Sequence, residues 1–444
     1  MSARRAAAQV IASQGEVQIG YQGLPYKSTG ERSTGINVAE GMLLHVGAGV
    51  EAGYDSNVFY GSSSDPGGVI SSGIIRVTTF GELTNATRDV VGEARPSVVY
   101  SLRAGLVYRL YTSDNVDVEK YRSAFMPSAG LGLGTTSGHW AFQLTDSFIR
   151  MEDPPYAGIT GSSAGATPIT RDSNLASVQA QWSPGGGRIS GTLRYNNTID
   201  VFEQDSGFSY ASSLTNQLVL DVSWKWLPKT ALFFQANQSW ITYLNDTPSA
   251  DMAADLSDGK KSSSYPLRLF IGLRGLITQK ISAAISLGYI NGFYSAGSTN
   301  TGIWGSTYAD AQVSYSPSLL NRFTVGYHQD IVNSVISNFY YESAGYASYV
   351  QQLAGRVALD LSARLSHRIY EGLIFDPTQS RTDNTITAGA TLDYFIRNWA
   401  YAGVGYSLLA NLSDYHLPGV GGEGTGGAVD YTKNQVFLRL GITY

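Results

Sequence analysis

The sequence has no cysteine, which excludes a disulfide-built scaffold and a thiolate-held metal centre. It is also poor in charge, at 15% Asp, Glu, Lys and Arg, where soluble proteins carry about 25%. Long apolar runs are missing as well. No stretch approaches ~18 consecutive apolar residues, so helical membrane spans are excluded. A formal net charge of −5 leaves no basic surplus for nucleic acid. The G-x-S-x-G, H-E-x-x-H and P-loop signatures are absent. The histidines His45, His139, His328, His367 and His416 are scattered. Neither an enzyme, a metal site nor a cofactor is therefore expected.

What is present is glycine, tyrosine and strict alternation. The 444 residues include 50 Gly and 29 Tyr. That length would suit two or three soluble domains, but the low charge argues against them. Near the C-terminal end Val436, Leu438, Leu440, Ile442 and Tyr444 fall on one face, and Gln435, Phe437, Arg439, Gly441 and Thr443 on the other. This is the period of a strand. The pattern recurs at Val357–Ser366, Leu218–Trp226 and Tyr100–Leu110. Burying the second set in a protein core would cost several kcal/mol per unpaired charge. Facing a wet interior, the same residues cost little. The expected fold is all-β, a transmembrane antiparallel β-barrel of about 18 strands.

Two further features support this fold. Short connections alternate with long polar ones. The short set includes Ser137-Gly138, Pro184–Gly187, Pro228-Lys229, Gln279-Lys280, Ser318–Asn321, Gly355-Arg356 and Arg397-Asn398. The long set includes Asp153–Asp172, Asn245–Ser264, Tyr370–Asp383 and Ser413–Tyr431, with a glycine-rich run at Gly419–Gly427. Barrels have short periplasmic turns and long extracellular loops. Asn85–Pro96 is the one long connection expected on the periplasmic side. Trp140, Trp182, Trp226 and Trp399 sit beside short turns, and Tyr54, Tyr195, Tyr289, Tyr327 and Tyr406 towards the other strand ends. These are the expected aromatic girdles. The predicted division is a periplasmic or lumenal segment, 1–42, and an outer-membrane barrel, 43–444. Arg4 and Arg5 are followed only by Ala6 to Ala12, too short and polar for an export signal. Either the chain begins upstream of Met1, which is the preferred reading, or Ala12-Ser13-Gln14 is a remnant near a cleavage site.

Alternation assigns Arg103, Arg109, Arg194, Lys225, Arg268, Arg274, Arg364, Arg368 and Arg439 to the inside, against fewer acids: Glu51, Asp221, Asp360 and Asp393, with Glu82 a further candidate. Charges lining a channel set its selectivity, so an arginine excess favours an anionic or densely hydrogen-bonding solute. The alternative is that arginines and acids pair across strands and satisfy one another. Phe80, Phe270, Phe395, Tyr401 and Phe437 are also assigned inward, where rings suit sugar faces or packing against an internal plug.

The first strand ends in Tyr54-Asp55-Ser56-Asn57-Val58-Phe59-Tyr60. Asp and Asn bond their own backbone and favour tight reversals, so a turn is expected here. The segment also resembles a family of bacterial outer-membrane β-barrel porins. In that family the first barrel strand ends in a Tyr-Asp-Ser-Asn-hydrophobic-aromatic motif, and some members are associated with capsule or exopolysaccharide export. The resemblance covers Gly41–Tyr60 and the C-terminal strand, and is architectural elsewhere. It implies passage of a hydrophilic solute, with polysaccharide export the sharper expectation. Such an exporter would need a separate periplasmic partner, because no helical-repeat domain is present. The alternatives are a structural anchor for an envelope machine and a general diffusion porin. In the porin case Asp153–Asp172 would be the constriction.

Overall fold

The computed structural model describes residues 35–39, 41–64, 68–85, 97–153, 169–203, 209–245, 261, 263–294, 307–353, 355–373, 380–397, 399–418 and 425–444. Within them, 18 antiparallel strands close into one barrel. In chain order they are β1 (Met42–Asp55), β2 (Ser72–Thr84), β3 (Val98–Tyr111), β4 (Ser123–Ser137), β5 (Trp140–Asp153), β6 (Ile169–Trp182), β7 (Ile189–Phe202), β8 (Ser213–Leu227) and β9 (Thr230–Tyr243). The wall continues through β10 (Leu267–Leu276), β11 (Ile281–Asn291), β12 (Thr307–Ser318), β13 (Asn321–Asn333), β14 (Ser337–Leu353), β15 (Val357–Leu373), β16 (Arg381–Arg397), β17 (Ala400–Ser413) and β18 (Tyr431–Thr443). Each strand pairs with its sequence neighbours, and β18 closes onto β1 in a register running from Gly47↔Thr443 to Asp55↔Gln435. Closure leaves no free edge for lipid to meet, a condition any spanning sheet must satisfy. A short strand, Ile36–Ala39, folds back on β1. The rest of the segment expected before the barrel, and the connections 86–96, 154–168, 246–260 and 419–424, lie outside the described residues.

The two faces of the wall differ as the alternation requires. On β18, Leu438 is 66% exposed while its neighbour Arg439 is 1% exposed. Trp140, Trp182, Trp226 and Trp399 are exposed on the outside near the short turns. At the other edge of the apolar belt the tyrosine hydroxyls meet polar partners. Tyr195 Oη donates to Asn216 at 2.6 Å, Tyr406 Oη donates to Asn434 at 2.8 Å, and Asn291 donates to Tyr289 Oη at 2.9 Å. The belt is therefore bounded by rings whose polar ends reach the wet interface.

One connection departs from the expected pattern. The outer turn between β13 and β14 is only residues 334–336. It is short because it tucks inward: Ser334 Oγ accepts from the Ile336 and Ser337 amides at 3.1 and 3.0 Å, and all three residues are buried.

An arginine facing the lipid midplane costs about 2–4 kcal/mol. Leu438→Arg is accordingly expected to block assembly in the membrane, while Leu438→Val assembles normally. The readout is heat-modifiable migration of the folded barrel. Normal assembly of Leu438→Arg would mean the register of β18 is wrong by one residue.

Candidate functional site

The interior is where the strands bring charge together. Arg103, Arg109, Arg194, Lys225, Arg268, Arg274, Arg364, Arg368 and Arg439 stand on the inner face, as do Glu51, Asp221, Asp360 and Asp393, each alternating with residues of the apolar belt. Most arginines face acids. Arg439 lies 3.6 Å from Glu51 and 3.8 Å from Asp393, and Arg76 lies 3.7 Å from Glu51 on its other side. Asp393 reaches Arg439 across β17 because position 403 is glycine. A Cβ there would come within 2.2 Å of Asp393 Oδ1. Glu342 takes both Arg364 and Arg368. Arg268 bonds Asp330 at 2.9 Å, next to the His328–Asp310 contact at 3.1 Å. Arg274 lies 3.6 Å from Asp221, and Arg194 donates to Gln179 at 2.9 Å. Arg103 and Arg109 lie over the rings of Phe80 and Tyr111. Asp360 is exposed.

The expected arginine excess is therefore smaller than alternation alone suggests. Asp55, Asp310, Asp330, Glu342 and Asp383 were not among the acids picked from sequence, nor were Arg76, Arg381 and Lys433 among the bases. Arg381 and Asp383 pair at 2.7 Å, and Lys433 and Asp55 at 3.0 Å. Alternation in phase with Phe80 on β2 was the available signal for Arg76. Glu342 follows Phe339-Tyr340-Tyr341, where alternation is blurred.

The expected inward rings pack rather than present faces. Phe437, Tyr401, Phe395 and Phe270 are all buried. Tyr401 lies against Gly441, where a Cβ would come within 2.5 Å of the ring. Arg76 covers the Phe437 ring at 4.4 Å. A sugar has no open ring to stack on at these positions.

The Tyr54–Asn57 segment is a turn that turns the chain inward. Tyr54 stays outside in the girdle. Asp55 Oδ1 accepts from the Asn57 amide at 3.1 Å, and Asp55 Oδ2 accepts from Gln435 at 2.7 Å and meets Lys433. Ser56 and Asn434 exchange two bonds, 2.9 and 2.8 Å. The Asn57 side chain donates to the Gly61 and Thr432 carbonyls at 2.8 and 3.1 Å and accepts from the Gly61 amide at 2.9 Å. The motif thus welds the β1–β2 connection to the closing strand β18 and aims Val58, Phe59 and Tyr60 into the barrel, all buried. Lys433 Nζ lies 4.0 Å from the Tyr60 ring centroid.

These residues join a packed layer across the outer mouth. Tyr60, Ile169, Phe202, Tyr210, Val332, Ile336, Tyr340, Tyr370, Leu373, Tyr415, Val429 and Tyr431 form one apolar cluster, drawn from opposite sides of the wall. Tyr210 Oη, before β8, donates to the Val335 carbonyl, before β14, at 3.2 Å. Lys261 donates to the Ser337 carbonyl at 2.6 Å and to that of Ser334. A second cluster joins Val58, Phe59, Tyr111, Phe437 and two residues of the β3–β4 connection, Val118 and Tyr121. Val118 belongs to the one-turn helix α1 (Val116–Glu119), capped by the Asn115 side chain. Burial, with Asp117 close by, raises the Tyr121 phenol above its usual range.

Below this layer the interior opens. Along β15 the inward side chains run from exposed Asp360 and Ser362, through half-buried Arg364, to buried Ser366, Arg368 and Tyr370. Along β3 they run from exposed Arg103 to buried Arg109 and Tyr111. Lys225 and Arg274 are exposed near the short turns, while Ser213 and Phe270, further out on the same strands, are buried. The lumen is packed at its outer end and wet at its periplasmic end along β3, β8, β10 and β15, whereas along the closing seam Asp393, Phe395, Tyr401, Arg439 and Thr443 are buried down to the periplasmic turns. Among the described residues no group of His, Asp and Glu has the arrangement of a metal site.

No family model and no curated protein matches the chain. Solved structures similar to it include a ferric enterobactin receptor mutant of Pseudomonas aeruginosa bound to enterobactin, with TM-score 0.46 at 10% identity over 90% of this chain and 81% of that one. OccAB4 of Acinetobacter baumannii gives TM-score 0.44 at 9% identity over 90% and 98%. The siderophore receptor PirA of Acinetobacter baumannii gives 0.44 at 9% over 90% and 80%. The closed 18-strand wall, the apolar belt and the paired girdles together place this chain in the bacterial outer membrane as a transmembrane β-barrel.

Proposed function

We propose that the protein is a gated conduit for a hydrophilic solute, loaded from the periplasm and closed at its outer mouth by inward-folded connections. One observation carries this reading: away from the closing seam the inner face is charged and wet at the periplasmic end, and it is packed with apolar rings at the outer end. A barrel of this strand number cannot fill its interior with wall side chains alone. The packed outer layer leaves a vestibule below it along β3, β8, β10 and β15. Export fits such an asymmetry, because a solute arriving from inside meets the layer from below. Polysaccharide is the finer reading. It rests on the motif resemblance and on the amides and charges of the vestibule, with a separate periplasmic partner to deliver the chain. The buried rings do not contribute to it. A closed mouth speaks against a general diffusion porin. It would also suit a structural anchor, but an anchor has no need of a wet, charged vestibule.

The chain has no cysteine, so single cysteines report access cleanly. In oriented proteoliposomes, Arg103→Cys and Lys225→Cys are expected to react with a membrane-impermeant maleimide from the periplasmic side at least tenfold faster than from the outer side. Equal rates from both sides would sink the gated reading.

A further inference from the structure

Among the described residues of the seven short periplasmic turns, charge is of one sign only. Arg188, Lys229, Lys280, Arg322, Arg356 and Arg397 lie at or within two residues of successive short turns, and all are exposed. His139 occupies the equivalent place between β4 and β5. Among the described residues of these turns there is no Asp or Glu, and none of the six cations forms an ion pair with another described residue. Elsewhere inside the barrel most arginines face carboxylates, so these turns differ from the wall above them.

Their position decides what the ring faces. Each cation continues the inward alternation of its strand. Ile189, Phe323 and Ile396, the strand neighbours of Arg188, Arg322 and Arg397, are exposed on the lipid side, and Trp140, Trp182, Trp226 and Trp399 take the lipid side at the same level. The rim thus offers aromatic rings to the bilayer and cations to the entrance. On one arc the charge is concentrated further. The Arg188 carbonyl accepts from the Lys225 amide at 2.8 Å, and Lys225, Ala231 and Arg274 are successive cross-strand partners. Like charges side by side on one face of a sheet are destabilising. Among the described residues, the carboxylate paired with this row is Asp221, 3.6 Å from Arg274. Repulsion that the fold leaves uncompensated is available to a ligand of opposite sign, and a charged cleft mouth raises the local concentration and capture rate of such a ligand.

We infer that the periplasmic mouth is a capture site for a polyanion, a flexible acidic polymer such as an acidic glycan, which the ring of cations gathers and passes to Arg103, Lys225 and Arg274 in the vestibule. This rests on the conduit reading and adds to it the charge class of the solute and the side from which it is taken.

The test uses the full chain in nanodiscs of zwitterionic phosphatidylcholine, with fluorescent polygalacturonate as probe and neutral dextran of equal length as control. The wild type is expected to bind polygalacturonate, at least tenfold more weakly when salt is raised from 50 to 500 mM (screening shortens the reach of exposed charges), and not to bind dextran. The variant K229Q/R322Q/R356Q/R397Q changes only exposed residues in or beside the turns and is expected to fold with the same heat-modifiable migration while losing at least tenfold in affinity. Equal affinity of wild type and variant would overturn the inference, as would binding of dextran equal to that of polygalacturonate. A ring that serves lipid headgroups instead would show in a third arm. There the four substitutions would weaken association with phosphatidylglycerol vesicles and leave polygalacturonate binding unchanged, which also overturns it. Failure here leaves the conduit standing if an opened barrel conducts. Conversely, a barrel that never conducts but loses polygalacturonate with the variant keeps the capture site and loses the conduit.

Discussion

Arg439→Gln is expected to destabilise the barrel by about 3–5 kcal/mol, the usual cost of removing one member of a buried ion pair. Arg439 is 1% exposed, between Glu51 and Asp393, which are 1% and 3% exposed. Gln cannot carry the charge both carboxylates face, and Arg76, 3.7 Å from Glu51, serves only one of them. An inward position alone would suggest that the change is tolerated, because a water-filled lumen hydrates whatever replaces the arginine. Here no water-filled space surrounds it. Urea unfolding in micelles measures the effect, with Lys225→Gln as the control. Lys225 is exposed near the periplasmic end, and its replacement is expected not to lower the midpoint. Equal midpoints for the two variants would show that the seam network contributes nothing to closure.

The contrast between Arg439 and Lys225 marks how far the sequence can be read. The strands, their number and the closure of β18 on β1 are legible because burial on one face repeats every second residue, as Leu438 and Arg439 illustrate. Which face a residue takes is local information. What it meets there is not. Arg439 finds Glu51 only through the closing register, between residues near opposite ends of the chain. The acids that reduce the arginine excess were missed for a similar reason. Glu342 and Asp383 lie near outer strand ends, among Tyr340, Tyr341 and Arg381, where apolar and polar residues no longer alternate.

The outer layer was the least legible part. Tyr60, Tyr210 and Ile336 belong to connections with no period, and a tyrosine in a connection has the same composition signal as one in a girdle. The inward rings were assigned to a face with two surroundings open, a sugar face or packing, and Phe270, Phe395, Tyr401 and Phe437 pack. Alternation says that Tyr401 points in, but not that Gly441 lets it lie flat against the wall. The Tyr54–Asn57 motif was legible as a turn from its Asp and Asn. That the turn would carry Phe59 and Tyr60 into the lumen depends on Lys433, Asn434 and Gln435 of the closing strand.

The central claim is that one and the same barrel is closed by its outer layer and conductive without it. Tyr210 and Tyr340 are both buried in that layer, 1% and 2% exposed, and Tyr210 bridges it to the opposite side through the Val335 carbonyl. Truncating a buried aromatic side chain costs about 3–5 kcal/mol, and each 1.4 kcal/mol is a factor of about ten in an equilibrium. Tyr210→Ala with Tyr340→Ala should therefore raise the open population by more than about a hundredfold. Planar-bilayer recording gives the direct measurement. The wild type is predicted to be silent or to open only rarely, and the double variant to show long-lived open events. A wild type that conducts steadily would contradict the account, and so would a folded double variant that stays as silent as the wild type.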